Sequence, residues 1–164
     1  MKKNKHDIGT RLLIGALAGL AGTLVMDALR NTSQKAVPGA EPPMKVHPGK
    51  YFVKKGEQVL PGKLRRKIPR KAEEVAAKSL GVGYGMTFGA LYSVLRPRGG
   101  KLVRDGVALG LLNWAIGFLG WLPKTGIMPP IQQQEPKQIA MPIAQHAVYG
   151  TATVAAYDLL VATV

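Results

Sequence analysis

Residues 106–122 read Gly-Val-Ala-Leu-Gly-Leu-Leu-Asn-Trp-Ala-Ile-Gly-Phe-Leu-Gly-Trp-Leu, an uncharged run whose one strongly polar member is Asn113. An α-helix rises 1.5 Å per residue, so such a run reaches about 25 Å, close to the roughly 30 Å of hydrocarbon in a bilayer. Its apolar character runs all round the helix, as lipid or a wholly buried core demands. Three more stretches match it. Ile8–Leu29 carries only Arg11 and Asp27 as charges, Ser79–Leu95 carries none, and Ile139–Val164 holds His146 and Asp158 among small or apolar residues. The expectation is an all-α membrane protein with four transmembrane helices at about 8–29, 75–95, 104–122 and 139–162, in a single domain covering 1–164. A soluble bundle fails on proportion, because so short a chain cannot clothe four buried helices in polar surface.

The totals agree with segregated greasy and basic stretches. The chain has 164 residues, 46% hydrophobic and 20% charged, with 23 Lys+Arg against 9 Asp+Glu, a formal charge of +14. So much apolar material excludes a disordered polycation. The absence of cysteine excludes disulfides, Cys-ligated zinc, iron–sulfur clusters and thiol catalysis. The first stretch has the basic and apolar regions of a signal peptide. Its run is long, however, and Asp27-Ala28-Leu29-Arg30 does not read as a cleavage site, so it is expected to stay as a span.

Between spans one and two, residues 31–74 form a basic extramembrane segment. Pro and Gly at 36–43, 47–49 and 60–62 break long helices and favour turns or extended chain. Eleven Lys or Arg fall in it, densest from Lys63 through Arg65, Arg66, Lys67 and Arg70 to Lys71. With only Tyr51 and Phe52 as aromatics, it lacks the stacking platforms of a nucleic-acid site. Anionic lipid headgroups are its expected partner, with an acidic protein as the alternative. Orientation cues conflict. The face holding both termini carries eight basic residues (Lys2, Lys3, Lys5, Arg11, Arg96, Arg98, Lys101, Arg104) against thirteen opposite, yet a basic amino terminus before a first span usually stays cytoplasmic.

Small residues recur at four-residue spacing: Gly15 and Gly19, with Gly22, on span one; Gly81, Gly85 and Gly89 on span two; Gly106 and Gly110 on span three; Ala147, Thr151 and Ala155 on span four. Lipid gives helices little hydrophobic reason to associate, so close backbone approach must hold them, and these small-xxx-small faces are the expected contacts. A faint echo pairs Tyr84-Gly85 and Tyr92 with Tyr149-Gly150 and Tyr157 at the same spacing, on two spans that would run parallel.

Ionisable and polar groups at membrane depth are costly. Asp27, Tyr84 and His146 fall on the same side by topological parity, so Asp27 and His146 are placed to meet with the tyrosine nearby. Asp158 falls near Arg96, Arg98 and Arg104, and Asn113 sits mid-span to bond across to a neighbour. No zinc-hydrolase spacing occurs, none of Ser33, Ser79 and Ser93 stands in a Gly-x-Ser-x-Gly elbow, and Gly81-Val-Gly-Tyr-Gly-Met lies inside a span with no strand before it. Neither a metal, a cofactor nor an enzyme activity is expected.

Gly126-Ile-Met-Pro-Pro130, His146-Ala-Val-Tyr-Gly150, Thr23-Leu-Val-Met-Asp27 and Tyr84-Gly with Phe88-Gly-Ala-Leu-Tyr92 resemble a family of small bacterial inner-membrane proteins typified by YagU. The resemblance covers most of the hydrophobic chain but not the basic segment. It implies a multi-span bacterial membrane protein without an agreed biochemical activity. The sequence reading is a non-enzymatic structural or assembly component of a membrane, in a homo-oligomer or with another membrane protein. The alternative is a small transporter or channel using Asp27 and His146 as a proton-sensitive pair.

Overall fold

The computed structural model describes residues 7–96 and 100–163, and the regular elements among them are all helical. Helix α1 runs Ile8–Ala36. Asp7 caps it, its carboxylate accepting from Gly9 N at 2.8 Å, Thr10 N at 3.1 Å and the Thr10 hydroxyl at 2.7 Å. These bonds, the Thr10 hydroxyl first, hold the Asp7 carboxyl below its ordinary pKa of 3.8. Val37 precedes Pro38 and leaves the helical region, and Gly39 takes φ +76°, a conformation that turns the chain back. Helix α2 (Pro48–Gln58) opens on Pro48, whose missing N–H costs nothing in a first turn. A single turn, α3 (Gly62–Arg65), follows, then α4 (Arg70–Leu95). Helix α5 (Leu102–Ala115) continues into a wide π-helical turn, Ile116–Trp121, and the short α6 (Leu122–Lys124). The wide turn contains Gly117 and Gly120 and ends where Pro123 has no N–H to donate. After a 3₁₀ turn at Ile131–Gln133, α7 runs Pro136–Thr163 with Pro142 inside it.

The four long helices pack in the order α4, α1, α7, α5. Neighbours run antiparallel, so α4 and α7 are parallel. Close approach is made by glycine. A Cβ placed on Gly15 or Gly19 would fall 2.5 Å from the carbonyl oxygen of Gly89 or Gly85, respectively. Gly22 lies on Tyr149 and Thr153, while Gly106 and Gly110 lie on Thr151 and His146. The two outer hairpins cross alike, because Gly89 sits on Gly15 and Gly19 as Gly150 sits on Gly106 and Gly110. This equivalence pairs Gly89 with Gly150, one helical turn away from the pairing of Gly85 with Gly150 in the tyrosine echo. Gly81 departs from expectation: nothing lies within 4 Å of a Cβ built there, so it makes no helix contact.

Among the described residues two helical stretches, not four, are by length and composition apolar enough to cross a membrane: Ile8–Ala36 and Leu102–Lys124. Helices α4 and α7 are long enough, but Lys78 in α4, Asp158 in α7 and the Gly, Ser, Thr, Tyr and His beside them lower their mean hydropathy. Many of those residues face inward, although Ser79, Gly81 and Thr87 are exposed. Ser93 and Thr153 are fully buried, and Tyr92, Tyr149 and Tyr157 pack in one core with Ile14, Ala18, Phe88, Leu109 and Val154. Large aliphatic side chains point outward on all four helices: Leu17 is 53% exposed, Leu91 49%, Leu112 53% and Leu159 67%.

The long basic segment is more ordered than its prolines and glycines suggest. Helix α1 takes in residues 31–36, and α2 supplies three turns. Residues between them fold over one end of the bundle, where Lys45 N bonds Ile127 O at 2.8 Å. There Ile127, Met128, Phe118 and Leu122 form a second core, packed by Met44, Val46, Tyr51, Trp114 and Trp121. Of the Gly126-Ile-Met-Pro-Pro130 stretch, Ile127 and Met128 are therefore buried in this core, with Gly126 at φ +73° making the turn before them. Lys2, Lys3, Lys5 and Arg98 of the orientation count lie outside the described residues.

Candidate functional site

The bundle interior has a polar spine where α7 passes between α1, α4 and α5. The Tyr149 hydroxyl donates to Gly85 O at 2.6 Å, and Asn113 is buried in α5. Gln145 Nε2 donates to Ser33 Oγ at 2.9 Å, joining α7 to α1. Thr23, Thr151 and Thr153 turn their hydroxyls onto carbonyls one turn back in their own helices, at 2.8 Å each. Tyr84 sits at the edge of this spine. Trp121 Nε1 approaches its oxygen at 3.5 Å, and Phe88 lies 5.0 Å away centroid to centroid. These bonds leave the polar atoms engaged with protein, and each interhelical one fixes a crossing.

Asp27 and His146 do not meet. The Nδ1 of His146 lies 2.8 Å from Pro142 O, and since a carbonyl only accepts, Nδ1 carries the proton. Its ring packs edge-on against Phe118 at 5.5 Å. The imidazole thus faces α5 and the π-helical turn. Asp27 is exposed on the outer side of α1, and no hydrogen bond or ion pair joins it to His146 among the described residues. The carboxylate acts instead on His47, at the start of α2. Partial burial, then the charges of Arg30 and Lys50, push the His47 pKa below its ordinary 6.5, while Asp27 opposes the shift. Arg30 pairs with Glu41 at 3.0 Å on this same end.

At the opposite end, α1, α4, α5 and α7 bring charges together. The Arg11 guanidinium donates to Ser93 O, capping the carboxyl end of α4. Arg96 pairs with Asp158 at 2.6 Å and lies over the Tyr157 ring at 5.2 Å. Tyr157 in turn meets Tyr92 edge to face at 5.6 Å. Asp105, immediately before the α5 glycines, is only 7% exposed; its Oδ1 accepts from Arg104 Nε at 2.8 Å. Sequence reasoning passed over both Asp105 and Gln145. For Asp105 the available signal was a carboxylate directly ahead of a small-xxx-small face, where it must be carried inward with its neighbour.

Of the packing glycines, Gly15, Gly19, Gly85, Gly89, Gly106 and Gly110 stand at crossings and Gly81 does not. Lys63 and Arg65 on α3, Arg66 and Lys67 in the turn after it, and Arg70 and Lys71 in the first turn of α4 are all exposed. Among the described residues no group of three or more His, Asp or Glu converges as a metal site. No family model, no curated protein and no solved structure matches the chain.

Proposed function

We propose that this chain is an integral membrane protein that acts by assembly, as a non-enzymatic structural component of a bacterial inner membrane. In this reading all four long helices cross the bilayer. The observation that carries it is the inside-out distribution of side chains. Leucines face outward on α1, α4, α5 and α7, while glycines, hydroxyls and amides are spent on helix contacts. Water would leave that aliphatic surface unfavourably exposed, whereas lipid solvates it without penalty. The low mean hydropathy of α4 and α7 fits in part, since the polar atoms of Gln145, Tyr149 and Thr153 are bonded within the bundle. The resemblance to the YagU-like proteins supports the same setting. The conduction alternative loses its proton-sensitive pair, because His146 and Asp27 face different neighbours.

The assembly role draws on the outer face of α5 and α7. Val107, Ala147, Val148, Thr151, Ala152 and Ala155 line an open, nearly wholly apolar groove of about 470 Å³ there. A partner helix seated on small residues gains dispersion contacts that mobile lipid tails do not give. Gentle detergent extraction followed by native electrophoresis tests the proposal. The chain should migrate as a complex that Ala152→Trp dissolves without loss of helix content. A monomer with no companions would overturn the assembly role.

A further inference from the structure

We propose that α2 and α3 lie on the headgroup layer of the same bilayer and bind anionic lipid; the proposal rests on the membrane reading above. Depth is set by two contacts. Gly49, in the first turn of α2, packs against the backbone of Ala77, one turn before Leu80, the first long aliphatic exposed on the membrane-facing stretch of α4. Phe52 packs on Trp121 at 5.4 Å, and Trp and Tyr side chains collect at membrane interfaces. Helix α2 therefore starts where the lipid-facing surface of the bundle stops.

From there the segment carries a paired chemistry. Val59 is 85% exposed and Leu64 55%, while Phe52 and Leu60 are covered only in part. Interleaved with them are Lys50, Lys54, Lys55, Lys63, Arg65, Arg66, Lys67, Arg70 and Lys71, against the single acid Glu57 between residues 48 and 71. Exposed apolar side chains flanked by a dense positive charge match a surface that is apolar beneath and negative on top. A bilayer containing phosphatidylglycerol or cardiolipin is such a surface. An acidic protein would satisfy the lysines and arginines but leave the apolar side chains without a use.

The chain has no cysteine, so single-cysteine variants label at one position. Val59→Cys and Leu91→Cys, each carrying an environment-sensitive fluorophore, are reconstituted as full chains in vesicles of phosphatidylcholine alone or with phosphatidylglycerol. The Val59 probe should shift to the blue and be quenched by headgroup-region spin-labelled lipid only when phosphatidylglycerol is present. High salt should weaken the effect. Arg65→Gln with Arg66→Gln should lower the anionic-lipid preference roughly fivefold per charge removed. A Val59 probe open to aqueous iodide in both vesicles, with the Leu91 probe quenched by lipid, overturns the inference and leaves the membrane reading standing. Both probes open to iodide overturn the two together. A Val59 probe shielded only when an acidic protein co-purifies assigns the surface to that protein and also overturns it.

Discussion

Replacing Gly19 by alanine tests whether backbone contact holds this bundle. The added Cβ would lie 2.5 Å from Gly85 O and 2.9 Å from Met86 Cα, where ordinary contact begins near 3.4 Å. Both obstacles are backbone, so neither can swing aside and the helices must part by roughly 1 Å. A gap of that size forfeits a quarter to a half of each dispersion well along the crossing. Gly81→Ala is the matched control, because nothing lies within 4 Å of its Cβ. Alanine improves helix propensity equally at both positions, so the difference between the variants isolates packing. Overpacking of this kind costs about 1–3 kcal/mol. Unfolding of the full chain from mixed micelles by dodecyl sulfate, followed by tryptophan fluorescence, should show Gly19→Ala less stable than Gly81→Ala by that margin. Equal stabilities would refute the claim that α1 and α4 meet through glycine.

Three further outcomes follow from the polar contacts. Tyr149→Phe and Gln145→Leu each remove one interhelical bond and should lower stability in the same assay by about 0.6–1.7 kcal/mol. Arg96→Gln should cost no more than about 1 kcal/mol, shrinking further in high salt, because both partners are about a third exposed. His47 binds its proton less readily in the folded chain than at its ordinary pKa of 6.5, so the folded state is favoured above that pH. That contribution should fade as pH falls through 6.5 to the lower folded value. The protection of residues 40–58 against hydrogen exchange, after correction for the slower intrinsic exchange in acid, should therefore fall on acidification, and His47→Gln should abolish the dependence.

The four helical stretches were legible because charge-poor runs of such length leave few other options, and the small-residue spacing picked out the contact faces of α1 and α5. Periodicity gives the azimuth of a face but not how far along it the neighbour extends, which is why Gly81 falls beyond the crossing. Asp27 shows the converse. Topological parity put it on the same side as His146, but each residue turns a helix by about 100°, and the step from Met26 to Asp27 carries the side chain from the core edge to the outside. The order of residues 40–58 was hidden because Pro48 reads as a breaker until α2 is seen to begin on it. That order comes from long-range contact with Ile127 and Met128, which no local pattern records. Hydropathy scores a tyrosine or threonine in α4 and α7 the same whether or not its hydroxyl is bonded.

Spin labels on single cysteines at Leu17, Leu91, Leu112 and Val148, one per long helix, test the bilayer placement most directly in reconstituted vesicles. All four should be readily relaxed by oxygen and poorly relaxed by a water-soluble nickel chelate. High nickel accessibility at Leu91 and Val148, with Leu17 and Leu112 protected, would leave only α1 and α5 in the membrane and contradict the four-helix account.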